Sequence, residues 1–93
     1  MRITIKDIEM RLQYLNELTK SPLTTYTKDK DGKFTANIGN FHIYRAYGST
    51  AIHRISNKVG GVETIIALGT KKECYNELNA LIKGIWISEK LNK

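Results

Sequence analysis

The run His42-Ile43-Tyr44-Arg45-Ala46-Tyr47, followed by His53-Arg54, sets aromatic rings and cations next to one another along the chain. Rings of this kind stack on nucleobases, and guanidinium groups pair with phosphate oxygens, so the pattern is what a nucleic-acid contact would use. A tyrosine in a strand serves equally as half-buried packing, Tyr44 more readily than Tyr47, which adjoins a turn. A second set is Lys71-Lys72, just after Gly69-Thr70. Cations in a first helical turn oppose the helix macrodipole. Together with the free N–H groups of that turn they make a phosphate site.

His42 and His53 are the only histidines, and two imidazoles sharing a sheet face could act as acid and base in cleaving RNA. Asp29, Asp31, Glu63 and Cys74 are the available helpers. The chain has no P-loop, no His-Glu-x-x-His, no paired cysteines and no Gly-x-Ser-x-Gly. The expectation is therefore a binding protein and not an enzyme, with no catalytic residues, no cofactor and no metal site. The single cysteine, Cys74, allows neither an intramolecular disulfide nor a common four-ligand zinc site. Beside the apolar face of a helix it reads as a small buried hydrophobe.

The excess charge is unevenly placed. The 93 residues carry 15 Lys plus Arg against 9 Asp plus Glu, a net charge of +6. Residues 1–19 and 73–93 are each neutral, while nine cations face three carboxylates between 20 and 72. The binding residues this selects are Lys28, Lys30, Lys33, Tyr44, Arg45, Tyr47, His53, Arg54, Lys58, Lys71 and Lys72. Such a field attracts phosphate or an acidic protein surface.

These residues must be positioned by one small domain, residues 1–93, whose length suffices for a core without staples. Thr4 with Asp7 reads as a capping box, and Ile5, Ile8, Leu12, Leu15 and Leu18 recur at helical spacing until Ser21-Pro22 stops the helix. Strands follow at 23–27 and 33–38 around Asp29-Lys30-Asp31-Gly32, then at 41–47, 51–56 and 62–68. Thr70 with Glu73 is a second capping box, opening a helix with Tyr75, Leu78, Leu81, Ile82 and Ile85 on one face. Gly84 either interrupts or caps it, residues 86–93 form a tail or another turn, and Trp86 and Ile87 either cap the core or form a partner or dimer patch. The order α-β-β-β(-β)-α predicts a two-layer α+β fold, an antiparallel sheet packed against two helices.

Hairpin register decides what the sheet displays. With Gly48-Ser49 as a two-residue turn, Tyr44 lies opposite His53, and His42, Tyr44, His53 and Ile55 share a face. With Gly48-Ser49-Thr50 as the loop, Phe41, Ile43 and Ile55 face the helices and Tyr44 and Arg54 point outward together. The second gives the cleaner apolar face and is preferred.

The α-β-β-β-α order ending in Leu68-Gly69-Thr70-Lys71-Lys72-Glu73 resembles the double-stranded RNA-binding domain in topology. In that family a lysine cluster at the start of the last helix holds phosphates, which Lys71 and Lys72 match; the family's Gly-Pro-x-His loop and alanine-rich last helix are missing. In wording, Ile38-Gly39-Asn40-Phe41-His42-Ile43, Ala46-Tyr47-Gly48-Ser49, Gly60-Gly61-Val62 and Gly69-Thr70-Lys71-Lys72-Glu73-Cys74-Tyr75 resemble small phage and prophage proteins of unassigned function. That resemblance implies an anti-defence role, of which anti-CRISPR inhibition is one form. The partner expected is RNA or DNA, or a nucleic-acid-binding host protein such as a CRISPR effector, with a homodimer left open. A sponge for signalling nucleotides is a further alternative and requires a closed pocket. No apolar run is long enough to cross a bilayer, and Met1-Arg2-Ile3-Thr4-Ile5-Lys6-Asp7 meets charge too early for a signal peptide, so the expected location is cytoplasmic, in the host cell if phage-encoded.

Overall fold

Thr4 starts the first helix, α1 (Ile5–Leu18), with the reciprocal bonds its spacing predicts. Its N–H donates to Asp7 Oδ2 at 2.8 Å, and the Asp7 N–H donates to Thr4 Oγ1 at 3.2 Å. The buried stripe is Ile8, Leu12 and Leu15. The helix ends at Thr19, whose hydroxyl donates to Leu15 O at 2.8 Å, and Lys20 turns the chain away in the left-handed region. The computed structural model describes residues 2–91.

Five strands follow: β1 (Tyr26–Lys28), β2 (Phe34–Ala36), β3 (Phe41–Ala46), β4 (Ser49–Ile55) and β5 (Val62–Gly69). They form two antiparallel sheets, where the sequence predicts one. A short ribbon pairs β1 with β2, and a three-stranded meander runs β3-β4-β5. The ribbon stays separate because both its strands are three residues long and mostly exposed, leaving almost no apolar face to bury. It is tied to the β4–β5 loop by the Ala36 N–H, which donates to Lys58 O at 3.2 Å.

The last helix, α2 (Lys71–Leu91), begins on the second capping box, with the Thr70 N–H donating to Glu73 Oε1 and the Glu73 N–H donating to Thr70 Oγ1, both at 3.0 Å. It does not break at Gly84. A mid-helix glycine costs only about 1 kcal/mol relative to alanine, and the flanking turns carry the helix through it. Its 21 residues span about 31 Å against about 20 Å for a six-residue strand, so its end overhangs the sheet. Trp86, Ile87 and Leu91 are exposed there, and the Lys90 ammonium sits 4.0 Å over the Trp86 ring.

Both helices cover one face of the meander. The core joins Ile8, Leu12 and Leu15 of α1 and Cys74, Leu78 and Ile82 of α2 to Phe41, Ile52 and Ile66. Burial pushes the Cys74 thiol up, with Glu77 adding to the effect, as suits a packed sulfur. The join between α1 and β3 is polar. Asn16, 3 % exposed, donates from Nδ2 to Phe41 O at 3.1 Å, and its Oδ1 accepts the Phe41 N–H at 2.9 Å. The amide thus bonds Phe41 as a neighbouring strand would.

Asn16→Leu strands two buried backbone groups and is expected to cost about 2–3 kcal/mol. Urea denaturation should show the midpoint falling with an unchanged slope.

Candidate nucleic-acid interface

The β3–β4 turn is Tyr47-Gly48, with Ala46 opposite Ser49. Both turn residues have positive φ, 53° for Tyr47 and 75° for Gly48, as a type I′ turn requires. Glycine stands second in the turn, whereas both registers considered from sequence place it first. Tyr47 takes a left-handed backbone with its side chain wholly exposed.

This register separates His42, Tyr44 and His53 from the cations. Phe41, Ile43 and Arg45 share the helix side with Thr50, Ile52 and Arg54. His42 and Tyr44 lie on the opposite side with Ala51 and His53. The preferred register, with Tyr44 and Arg54 outward together, is therefore corrected: Arg54 lies on the helix side, its guanidinium carbon 4.7 Å over the Phe41 ring and its Nε donating to Gly39 O at 3.2 Å. Arg54 holds the base of the sheet together.

On the uncovered side the Tyr44 and His53 rings stack, centroids 4.5 Å apart and 14° from parallel, and His42 meets His53 edge-on at 5.9 Å. The two histidines do converge. Partial burial pushes the His42 pKa below its ordinary value, and the neighbouring His53 lowers it further.

The cations form two groups at opposite ends of the meander. Arg45 pairs with Thr50, and Thr50 with Gly69, so one row across the sheet leads from Arg45 to the start of α2. Two strand spacings, about 10 Å, separate the ends of that row. Tyr47, Arg45, Lys71 and Lys72 therefore gather at the turn end. The start of α1 lies there too, because α1 runs back along β3 from Asn16 beside Phe41. The capping carboxylates Asp7 and Glu73 have pKa values lowered by their bonds to Thr4 and Thr70, so they stay ionised and offset part of this charge.

Lys28, Lys30 and Lys33 lie on the ribbon, and Lys58 in the β4–β5 loop to which the ribbon is tied. The ribbon loop includes Asp29 and Asp31, which leave it a surplus of one charge. Asp29 Oδ1 accepts the N–H groups of Asp31 and Lys33, each at 2.9 Å, and Lys28 lies 5.8 Å over the Phe34 ring.

A cleft of about 570 Å³ opens between α1 and β3 with Leu23 and Thr25 as its third wall. Sequence reasoning passed over two of its residues, Asn16 and Asn40. The signal for Asn16 was present: it follows Leu12 by four positions, a polar residue within an apolar stripe. Among the described residues no three His, Cys, Asp or Glu side chains could hold a metal ion, and no helix is long and apolar enough to cross a membrane. No family model, curated protein or solved structure matches the chain.

A His42 pKa depressed by folding means that the unfolded chain binds the proton first. The associated stability is present above the unfolded imidazole value and is lost as pH falls through the folded one. Thermal midpoints should therefore fall between about pH 7.5 and 5, above the carboxylate range. A His42→Gln variant should show a smaller fall over the same interval.

Proposed function

We propose that this chain is a small phage-type binding protein, acting in the host cytoplasm without catalysis, that interferes with a nucleic-acid-dependent host process through the turn end of its sheet. The supporting observation is the row Arg45–Thr50–Gly69, which sets Arg45 and Tyr47 beside Lys71 and Lys72. Arg45, Lys71 and Lys72 exceed the Asp7 and Glu73 carboxylates there by one, as the ribbon-loop lysines exceed theirs. The turn end, where these cations flank the exposed Tyr47, thus attracts phosphate, or an acidic surface on an enzyme that handles nucleic acid.

The same row favours a second reading, a stand-alone duplex-binding domain. Long side chains issuing from points about 10 Å apart reach phosphates on either side of a groove. The nucleotide-sponge reading gains no such support from the cleft between α1 and β3, which is open and is lined by Glu9 with no Lys or Arg.

Inhibition of a guide-RNA nuclease tests the first reading. Arg45→Glu and Lys71→Glu/Lys72→Glu should each abolish it, while Lys30→Glu/Lys33→Glu should leave most of it. Full inhibition by the first two variants removes the turn end from the mechanism. Arg54 is left intact because it packs on Phe41.

Fluorescence anisotropy on a labelled RNA duplex tests the second. With about three phosphates neutralised, log affinity should fall against log salt with a slope of about −2.7, and the double lysine reversal should shallow it by about 2. Salt-insensitive or absent binding discards the duplex reading.

A further inference from the structure

β3 is an edge strand, and its outward backbone groups alternate with those that bond β4. Beside a two-residue turn the closing pair Ala46–Ser49 exchanges hydrogen bonds, and so do Tyr44–Ala51 and His42–His53. The N–H and C=O groups of Phe41, Ile43 and Arg45 therefore point away from the sheet. Asn16 satisfies those of Phe41. Among the described residues nothing bonds those of Ile43 or Arg45.

The cleft lies along this edge. Leu12, Leu23, Phe41 and Ile43 give it apolar walls. Asn40 also lines it, 1 % exposed; its Nδ2 donates to Pro22 O at 2.8 Å, and its Oδ1 has no partner. The only charged residue in the lining is Glu9, within a chain of net charge +6.

We propose that the β3 edge and this cleft bind an extended, basic segment of a partner polypeptide by strand addition. Its amides pair with Ile43 and Arg45. Alternate apolar side chains pack on Leu23 and Ile43, and an arginine or lysine donates toward the exposed Glu9. A nucleic acid does not suit the site, since its phosphates would approach Glu9 with no cation to pair. The site adjoins the turn end at Arg45, using its backbone where the proposed function uses its side chain.

The test is an amide-resolved NMR titration of the full chain with acetyl-(Val-Arg)3-amide, acetyl-(Val-Glu)3-amide, and the arginine peptide with alternate amides N-methylated. The arginine peptide should shift the Ile43 and Arg45 amides and slow their hydrogen exchange. The exposed substitution Glu9→Lys and the N-methylated peptide should each weaken binding at least about tenfold, and the glutamate peptide should leave the edge unchanged. The proposal is overturned by unmoved Ile43 and Arg45 amides at about 1 mM arginine peptide, a concentration at which even weak peptide binding registers. Equal binding of the N-methylated peptide overturns it as well. So does slowed exchange at these amides on raising protein concentration alone, which would make a second copy the occupant. Duplex anisotropy on Glu9→Lys reads the turn end independently, so failure at the edge is not confused with failure of nucleic-acid binding.

Discussion

The two-residue turn at Tyr47-Gly48 is the constraint on which the rest of the molecule depends. Side chains alternate along a strand, so lengthening the loop by one residue would exchange every side chain of β3 between the two faces relative to β4. With the turn where it is, Phe41, Ile43 and Ile52 point together toward Leu12, Leu15 and Leu78, and the helices have one surface to cover. The same register lines Arg45 up with Thr50 and Gly69, and so fixes where α2 can begin. The left-handed backbone of Tyr47, a conformation that costs a non-glycine residue about 1 kcal/mol or more, is held in place by that core.

The helices were legible because their signals are local. Thr4 with Asp7 and Thr70 with Glu73 mark starts through three-residue relationships, and the apolar stripes repeat within a turn. The α+β class follows from those helices and the runs between them. The failures are all non-local. Tyr47 is not a residue that announces a positive φ, so the turn was misplaced, and Arg54 was assigned to the wrong side. The ribbon looked like part of the main sheet because Thr24-Thr25-Tyr26-Thr27 has strand composition; nothing in it records how little apolar surface it could bury. Gly84 looked like a stop because the residues that carry α2 past it act through cooperativity, which a single position does not display.

The candidate interface was legible as a list and not as an arrangement. Rings and cations alternate in sequence, and alternation along a strand is a recipe for putting them on opposite faces. His42, Tyr44 and His53 therefore form a stack without a cation among them, while Arg45 joins Lys71 and Lys72 through pairings that span a quarter of the chain. The net charge of +6 likewise resolves into two separate ends once Asp29 and Asp31 are set against the ribbon lysines, and Asp7 and Glu73 against Arg45, Lys71 and Lys72.

The two edges of the meander are unlike. The β4–β5 ladder shifts register twice, at Thr50–Ile52 and at Ile52–His53, and such irregularities bend and twist the strand that carries them. That makes β5 a poor template, while β3 is straight enough to extend. A sheet with a single extendable edge can add only one strand before it is closed. Pairing between copies of this chain through those two edges would therefore stop at two, and the meander offers no geometric route to open-ended fibres.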